Sequence, residues 1–432
     1  MILSIALSVI IFVAVAWLLL RLTGEAGVTL PGGKVMDFLT ATRYSKTEDE
    51  KAGKYTFLKV FLYALLFRII VFVLGWAAAG IFSGGSMPSF LAYCQKWNLW
   101  DAPHYLDIAE YGYAHHLENG QHLFLVFFPL YPLIVKIFAF VLRDYTVSAL
   151  AVSFLSYSAG CALMYKLVRM DYSQSVARRS VIFLSVSPFA FFFGGVMTEG
   201  LFFLVITATF LAIRKHKWLL AGVLGALAAL TRSVGVLMII VAAVEWAGHE
   251  RPIALLKEKN YKALGKEIAH ALPLLIIPIG TLIYLYINYA VEGNAFAFME
   301  YQKSHWSQEL QYFGKTVKML VSRVNMQDDW LYIVCIFLSG IVSIAVTAVI
   351  TLLAVRRTRS MYTAFMIMYF FFNAAASWPL SLNRYMSCMI PAAWVLASLT
   401  EKRKNAAELI TVCSAVLFGI FLAGYITGHS IM

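Results

Sequence analysis

The sequence predicts an all-α protein that crosses a membrane many times, and three observations carry that prediction. Of 432 residues, 61% are hydrophobic and 13% are charged, about half the charged share that coats a soluble globule. The apolar residues fall in long runs, each near the roughly 20 residues a helix needs to cross hydrocarbon. The positive charge, net +12, sits in short clusters between those runs, such as "RKHK" at 214–217, "RRTR" at 356–359 and "EKRK" at 401–404. Basic clusters in that position mark cytoplasmic loops beside anionic headgroups, not a nucleic-acid interface.

The first run, within 1–22, lacks a basic leader and a small-residue cleavage site, and its apolar core is too long for a signal peptide. It is expected to be a retained helix. Residues 23–56 are mixed in charge and hold Gly and Pro, which suits a cytoplasmic connection. Further apolar segments lie near 57–82, 123–142, 147–168, 181–195, 197–213, 218–230, 233–247, 270–291, 331–355, 361–379, 385–399 and 407–427. The whole is expected to be one integral membrane domain of roughly 11–13 helices.

Two polar loops interrupt the series. The first, 83–122, has Asp101, Asp107, Glu110 and Glu118 against a single Lys96, so the charge rule puts it outside the cytoplasm. Counting crossings from there places the basic 257–267 stretch on the wrong side. If 123–142 does not cross fully, every basic cluster returns to the cytoplasmic face, and the turns at Glu199 and Arg232 both face outside. The second loop, 292–329, carries five acids and four basic residues among aromatics. It is too apolar for a free linker and too charged to span, as expected of an interfacial element or lid over an external cavity.

Several polar groups need a reason for their positions. Asp101 precedes Pro103 and a helically spaced run, so it reads as a helix N-cap or as a carboxylate held at the membrane surface between interfacial tryptophans 97 and 100. Asp107 and Glu110, three apart, share a helix face, which is either a divalent-cation pair or the wet side of an amphipathic helix. Glu199, Arg232 and Arg384 interrupt apolar segments, where a charge is costly unless it snorkels, pairs or lines a wet cavity. An arginine there is also well suited to a phosphate. The histidines of the first loop make no zinc-hydrolase pattern, and the five cysteines contain no CxxC pair.

Taken together, "WDAPHYLDIAEYGY", "FFPLYPLI", "TEGLFFL", "LTRSVG", "GNAFAFMEYQKSHW" and "NRYMSCMIPA" resemble the PIG-V-type, GPI mannosyltransferase II-like enzymes and their prokaryotic relatives, within the GT-C class of membrane glycosyltransferases. The resemblance covers most of 57–400 and leaves out the helix at 1–22. It implies a GT-C-type bundle with two extracytoplasmic loops that carry interfacial helices. The activity implied is inverting transfer of a sugar, usually mannose, from a polyprenyl-phosphate donor to a glycan, lipid or protein acceptor, at the outer face of a prokaryotic plasma membrane. The donor is a substrate and no cofactor or obligatory metal is implied. Asp101 is then the expected base, and Arg232 and Arg384 the expected phosphate receptors. Trp100, His104, Tyr105, Glu118, Glu199, His305 and Trp306 are the expected sugar or acceptor contacts. Two departures stand out. Glu118 is the only carboxylate shortly before the FFP element, and Val234 occupies a place where a polar residue is expected. The competing readings are a transporter or flippase, which predicts ionisable pairs deep in symmetric broken helices, and an inactive accessory subunit of a glycosylation system.

Overall fold

A computed structural model describes residues 2–28, 32–40, 55–82, 84–327 and 329–431. Most of the expected connection at 23–56 lies outside these residues. Within it, the first helix runs on to Glu25 and a short helix, Gly33–Thr40, follows.

Among the described residues there is no strand, and seven helical segments are long and apolar enough to cross a bilayer unaided. They are Ile2–Glu25, Thr56–Phe82, Tyr145–Val168, Ser233–Glu250, Tyr261–Glu292, Trp330–Arg357 and Lys404–Ile426. The protein is a multi-pass integral membrane protein. The remaining apolar runs fold as helices of only 9–16 residues: Leu130–Leu142, Gln174–Ser185, Glu199–Arg214, Trp218–Thr231, Ser360–Ala374 and Pro391–Leu399. At 1.5 Å per residue, even sixteen residues give about 24 Å, short of the ~30 Å hydrocarbon core.

Backbone chemistry explains why these helices are short. Pro188, Gly194 and Gly195 break the 181–195 run, so residues 190–194 tighten into a 3-10 turn and a new helix starts at Glu199. Helix Trp218–Thr231 stops because Arg232 is fully extended (φ −155°, ψ 148°). Gly235 then presses against that helix so closely that a Cβ there would lie 2.1 Å from the Ala228 carbonyl oxygen. No side chain fits there, which is the physical meaning of the glycine in "LTRSVG".

The short helices form the inside of the bundle. Twelve of the sixteen residues of Glu199–Arg214 are buried, and it packs against Tyr145–Val168, itself 67% buried over its apolar window. Gly200 allows that contact, since a Cβ there would meet the Phe193 and Ser153 carbonyl oxygens at 2.6 and 3.0 Å. The outer helices bury far less, 17% for Thr56–Phe82 and 28% for Lys404–Ile426. Rows of exposed Leu, Ile, Val and Phe on them suit a lipid surround. Broken helices therefore pack around the long central helix Tyr145–Val168, with the other long helices more exposed, so backbone ends and polar side chains gather inside.

Candidate active site

Four segments distant in sequence end at one place. Asp101 immediately precedes helix Ala102–Tyr111, Glu199 opens helix Glu199–Arg214, Arg232 follows helix Trp218–Thr231, and Arg384 lies in the short helix Leu382–Ser387. All four are at or near helix ends, where the chain can aim a side chain away from the helix ladder. A carboxylate at a helix N-terminus, as at Glu199, is also favoured by the helix dipole.

The four charges form one buried ion network. Arg384 donates from Nη2 to Asp101 Oδ2 at 2.5 Å, and its Nε lies 3.3 Å from Glu199 Oε1. Arg232 donates from Nη1 to the same Glu199 oxygen at 2.6 Å and to Thr198 Oγ1 at 3.1 Å. Glu199 is 1% exposed and Arg384 3%, whereas Asp101 keeps 18%. Two carboxylates balance two guanidinium groups, which is what lets charges sit in so dry a place. Burial disfavours the Arg384 charge, yet the Asp101 carboxylate, with Tyr385 and Glu199, leaves the guanidinium more basic than usual. The second Glu199 oxygen, Oε2, is buried and makes no hydrogen bond.

Asp101 occupies the N-cap position but makes no capping hydrogen bond, and its side chain turns instead to Arg384. The cap reading of Asp101 is thus corrected: ion pairing with a buried cation outweighs one amide contact. The helix after it otherwise follows its pattern, with Tyr105, Ile108 and Ala109 buried. Asp107 faces His115 at 3.2 Å instead of pairing with Glu110. Among the described residues, no three His, Cys, Asp or Glu side chains gather as a metal-ligand set.

Aromatic side chains wall the network. Trp100 has φ +59°, a left-handed conformation uncommon for a bulky residue, and its indole N–H is buried without a partner. His104 packs on Phe124 and Phe127 (4.6 and 5.1 Å between ring centres), with Nδ1 buried and unpartnered. Burial lowers the His104 pKa from its ordinary 6.5, against the pull of Asp101. Tyr105 meets Phe127 and Tyr131 edge-on.

The second loop folds as two helices, Ala297–Trp306 and Phe313–Met326. Trp306 reaches Phe127 (6.0 Å), the ring that also touches His104 and Tyr105. His305 stays exposed beside Ser304 Oγ, 2.8 Å away. Glu118 is exposed in a tight turn closed with Gln121, with His116 at 3.8 Å, and makes no direct contact with the four charges. The structure therefore brings Asp101, Glu199, Arg232 and Arg384 together, packs His104, Tyr105 and Trp306 around the shared Phe127, and leaves Glu118 and His305 at the rim.

Three further participants escape a reading by residue type. Tyr385 places its ring 4.4 Å from the Arg232 guanidinium and its hydroxyl 3.1 Å from Arg384 Nη2, although "NRYMSC" names it beside Arg384. Glu292 accepts from the His122 backbone N–H at 2.8 Å and from the Tyr301 hydroxyl, clipping the two loops together. Residues 309–311 pair with 375–377 (Gln311 N to Ala375 O, 2.7 Å) and tie the second loop to the segment leading to Arg384. No spacing in the sequence announces these long-range pairs.

No curated protein sequence matches the chain. Among solved structures, it is similar to ArnT from Cupriavidus metallidurans bound to undecaprenyl phosphate, at 14% identity and a TM-score of 0.48 over 87% of this chain and 72% of that one. It is also similar to the archaeal oligosaccharyltransferase AglB from Archaeoglobus fulgidus, in complex with an inhibitory peptide and a dolichol-phosphate. That likeness has 12% identity and a TM-score of 0.43, over 88% of this chain but 57% of the AglB chain. Residues 128–286, less than half of the chain, match the family described as dolichyl-phosphate-mannose-protein mannosyltransferase. That stretch holds Glu199 and Arg232, begins after Asp101 and ends before Arg384.

Proposed function

We propose that this protein is a GT-C-type membrane glycosyltransferase that moves a sugar, mannose foremost, from polyprenyl phosphate to an acceptor hydroxyl on the extracytoplasmic side. The observation that carries the reading is the 2.5 Å pair of Asp101 with Arg384. A carboxylate able to take a proton stands beside cations able to take a phosphate. The partial match to a mannosyltransferase family over 128–286 supports the same reaction class.

The reaction is an inverting displacement. The acceptor oxygen attacks the anomeric carbon while Asp101 takes its proton. The bond from that carbon to the phosphate oxygen breaks, and polyprenyl phosphate leaves with the electron pair. Arg384 and Arg232 stabilise the charge that grows on it. Glu199, sealed between the two arginines, holds them in place. Trp100, with its free indole N–H, together with His104, Tyr105 and Trp306, shapes the side on which sugar and acceptor lie. No metal is required, because two guanidinium groups already supply the positive charge.

The resting network sets the order of events. Its charges cancel, so an incoming phosphate must displace a carboxylate from an arginine. Asp101 is the more exposed of the two and contacts one arginine, whereas Glu199 is sealed between both. Donor binding therefore frees Asp101, and the base becomes available only once the sugar is seated.

The test is transfer of labelled mannose from polyprenyl-phosphate mannose by purified protein in nanodiscs, wild type against Asp101→Asn. Turnover by the wild type and loss in the variant is the expected result. Equal turnover by both removes Asp101 as the base. Substrate-dependent transport in vesicles without transfer would replace the enzyme by a transporter.

A further inference from the structure

At the far end of the bundle is a cavity of about 460 Å³, between helices Gln174–Ser185 and Lys404–Ile426. The far end is fixed by helix Glu199–Arg214, which starts in the ion network and finishes about 24 Å away at Arg214. There Arg214 Nη2 meets Asp171 at 2.8 Å, two residues before the N-cap Ser173 of helix Gln174–Ser185. Arg178, Arg179 and Lys404 line the cavity together with Gln174 and Glu408, giving three cations against one carboxylate.

The arrangement has a direction. The first turns of both helices lie at the cavity mouth, where Ser173 caps one of them and donates its hydroxyl to Glu401. Arg179 spends one nitrogen on the Thr400 carbonyl (Nη1 to O, 2.6 Å), which fixes its guanidinium at the wall. Lys404 pairs only loosely with Glu408, at 3.7 Å and well exposed. Further along both helices the wall becomes less polar, through Ile182, Ala407 and Thr411, whose hydroxyl is spent on the Ala407 carbonyl at 2.8 Å. It continues on the outer surface at Val412, 61% exposed on a helix apolar enough to span the membrane. A charged mouth followed by a less polar wall fits an amphiphile with an anionic head.

We propose that this cavity binds the phosphate headgroup of an anionic phospholipid from the leaflet at the basic end of the protein, with an acyl chain lying along Ile182 and Thr411. Basic recesses between membrane helices on the cytoplasmic side favour such headgroups, and each Lys or Arg near an anionic surface contributes about 1 kcal/mol, a factor of about 5. The proposal does not rest on the transferase reading.

The experiment is native mass spectrometry of the full-length protein released from nanodiscs containing phosphatidylglycerol and phosphatidylcholine in equal amounts. Wild type is compared with Arg178→Gln/Lys404→Gln. Arg179 is left in place because it contacts Thr400. Lys315→Gln/Lys318→Gln, which removes the same charge from exposed positions of the second loop, serves as the matched control. Wild type and control are expected to retain phosphatidylglycerol preferentially, and the double variant to lose roughly 25-fold in that preference. Equal retention of both lipids by wild type overturns the proposal, as does an equal loss in the control. Thermal stabilisation of detergent-solubilised protein by inorganic phosphate, as large as that by phosphatidylglycerol and lost in the double variant, would replace the lipid by a soluble phosphate ligand.

Discussion

Among the described residues, buried ion networks lie at both ends of helix Glu199–Arg214, and they are built differently. At the start of the helix, Glu199 lies between Arg232 and Arg384, and Asp101 completes the set from a loop helix. At the end, Arg214 meets Asp171, and Arg359 bridges Asp171 at 3.5 Å and Glu245 at 3.8 Å. His216 adds a contact to Glu245 at 3.5 Å. In the second network both carboxylates are buried, at 2% and 8% side-chain exposure, and each faces more than one partner. The first has one carboxylate at 18% exposure with a single charged partner. The second is a tie that binds helix ends to one another. The first holds a part-exposed carboxylate with one charged partner, the group that the proposed reaction would release to a substrate, and aromatic rings flank it.

Asp101→Asn and Asp171→Asn should separate the two most sharply. If Asp101 is the proposed base, transfer by Asp101→Asn is expected to fall by about 10²–10⁴-fold. Its thermal midpoint should fall less than that of Asp171→Asn, because Asp101 is part-exposed and Arg384 keeps Glu199 at 3.3 Å. Asp171→Asn leaves Arg214 and Arg359 facing a neutral group in a dry site, at a cost of about 3–5 kcal/mol of stability. The specific activity of what remains folded should be nearly unchanged. Transfer and unfolding measured on both variants check the contrast. It breaks if Asp171→Asn loses activity without losing stability.

Arg384→Lys sharpens the division within the first network. The charge survives, but one ammonium cannot hold Asp101 and Glu199 from two sides as the guanidinium does. A fall of about 10²-fold in kcat is expected, comparable to losing one stabilising donor in a transition state. A rise in KM alone would place Arg384 in ground-state binding. Pre-steady-state kinetics distinguish the two. They also test the donor-before-acceptor order that the proposed release of Asp101 from Arg384 implies.

Much of this was legible in the sequence, for physical reasons. The apolar runs give the class, and the charges that interrupt them, Glu199, Arg232 and Arg384, stand out because hydrocarbon penalises each. Asp101 was legible as a residue but not as a partner: a local reading leaves open a cap and a carboxylate held at the membrane surface, and only the fold brings Arg384 within 2.5 Å. Helix lengths were less legible. The run at 181–195 is apolar throughout, yet Pro188 and the Gly194–Gly195 pair divide it, and apolarity alone does not show where a backbone turns. Arg68 is a further instance. It lies in mid-helix, 1% exposed, with its guanidinium 3.7 Å over the Tyr157 ring. The same hydrocarbon penalty marks it in the sequence, but its ring partner, about ninety residues away, is known only from the fold.

The smallest expected effect concerns His104, which separates the wall of the site from its charges. Burial against Phe124 and Phe127 holds its pKa below the ordinary 6.5, so the folded protein keeps the ring neutral at pH values where the unfolded chain protonates it. Between those two pKa values the unfolded state binds the extra proton, and stability must fall as pH drops below about 6.5. His104→Phe removes the titrating group while keeping a ring for the Phe124 and Phe127 contacts. The variant should therefore lose slightly less stability than wild type between pH 7 and pH 5, as read from thermal unfolding across that range. At pH 7.5, where the ring is neutral in both states, the two proteins should unfold at nearly the same temperature. A large difference there would show that Nδ1 takes part in a hydrogen bond on which the loop depends, and His104 would then belong with the charged network and not with its wall.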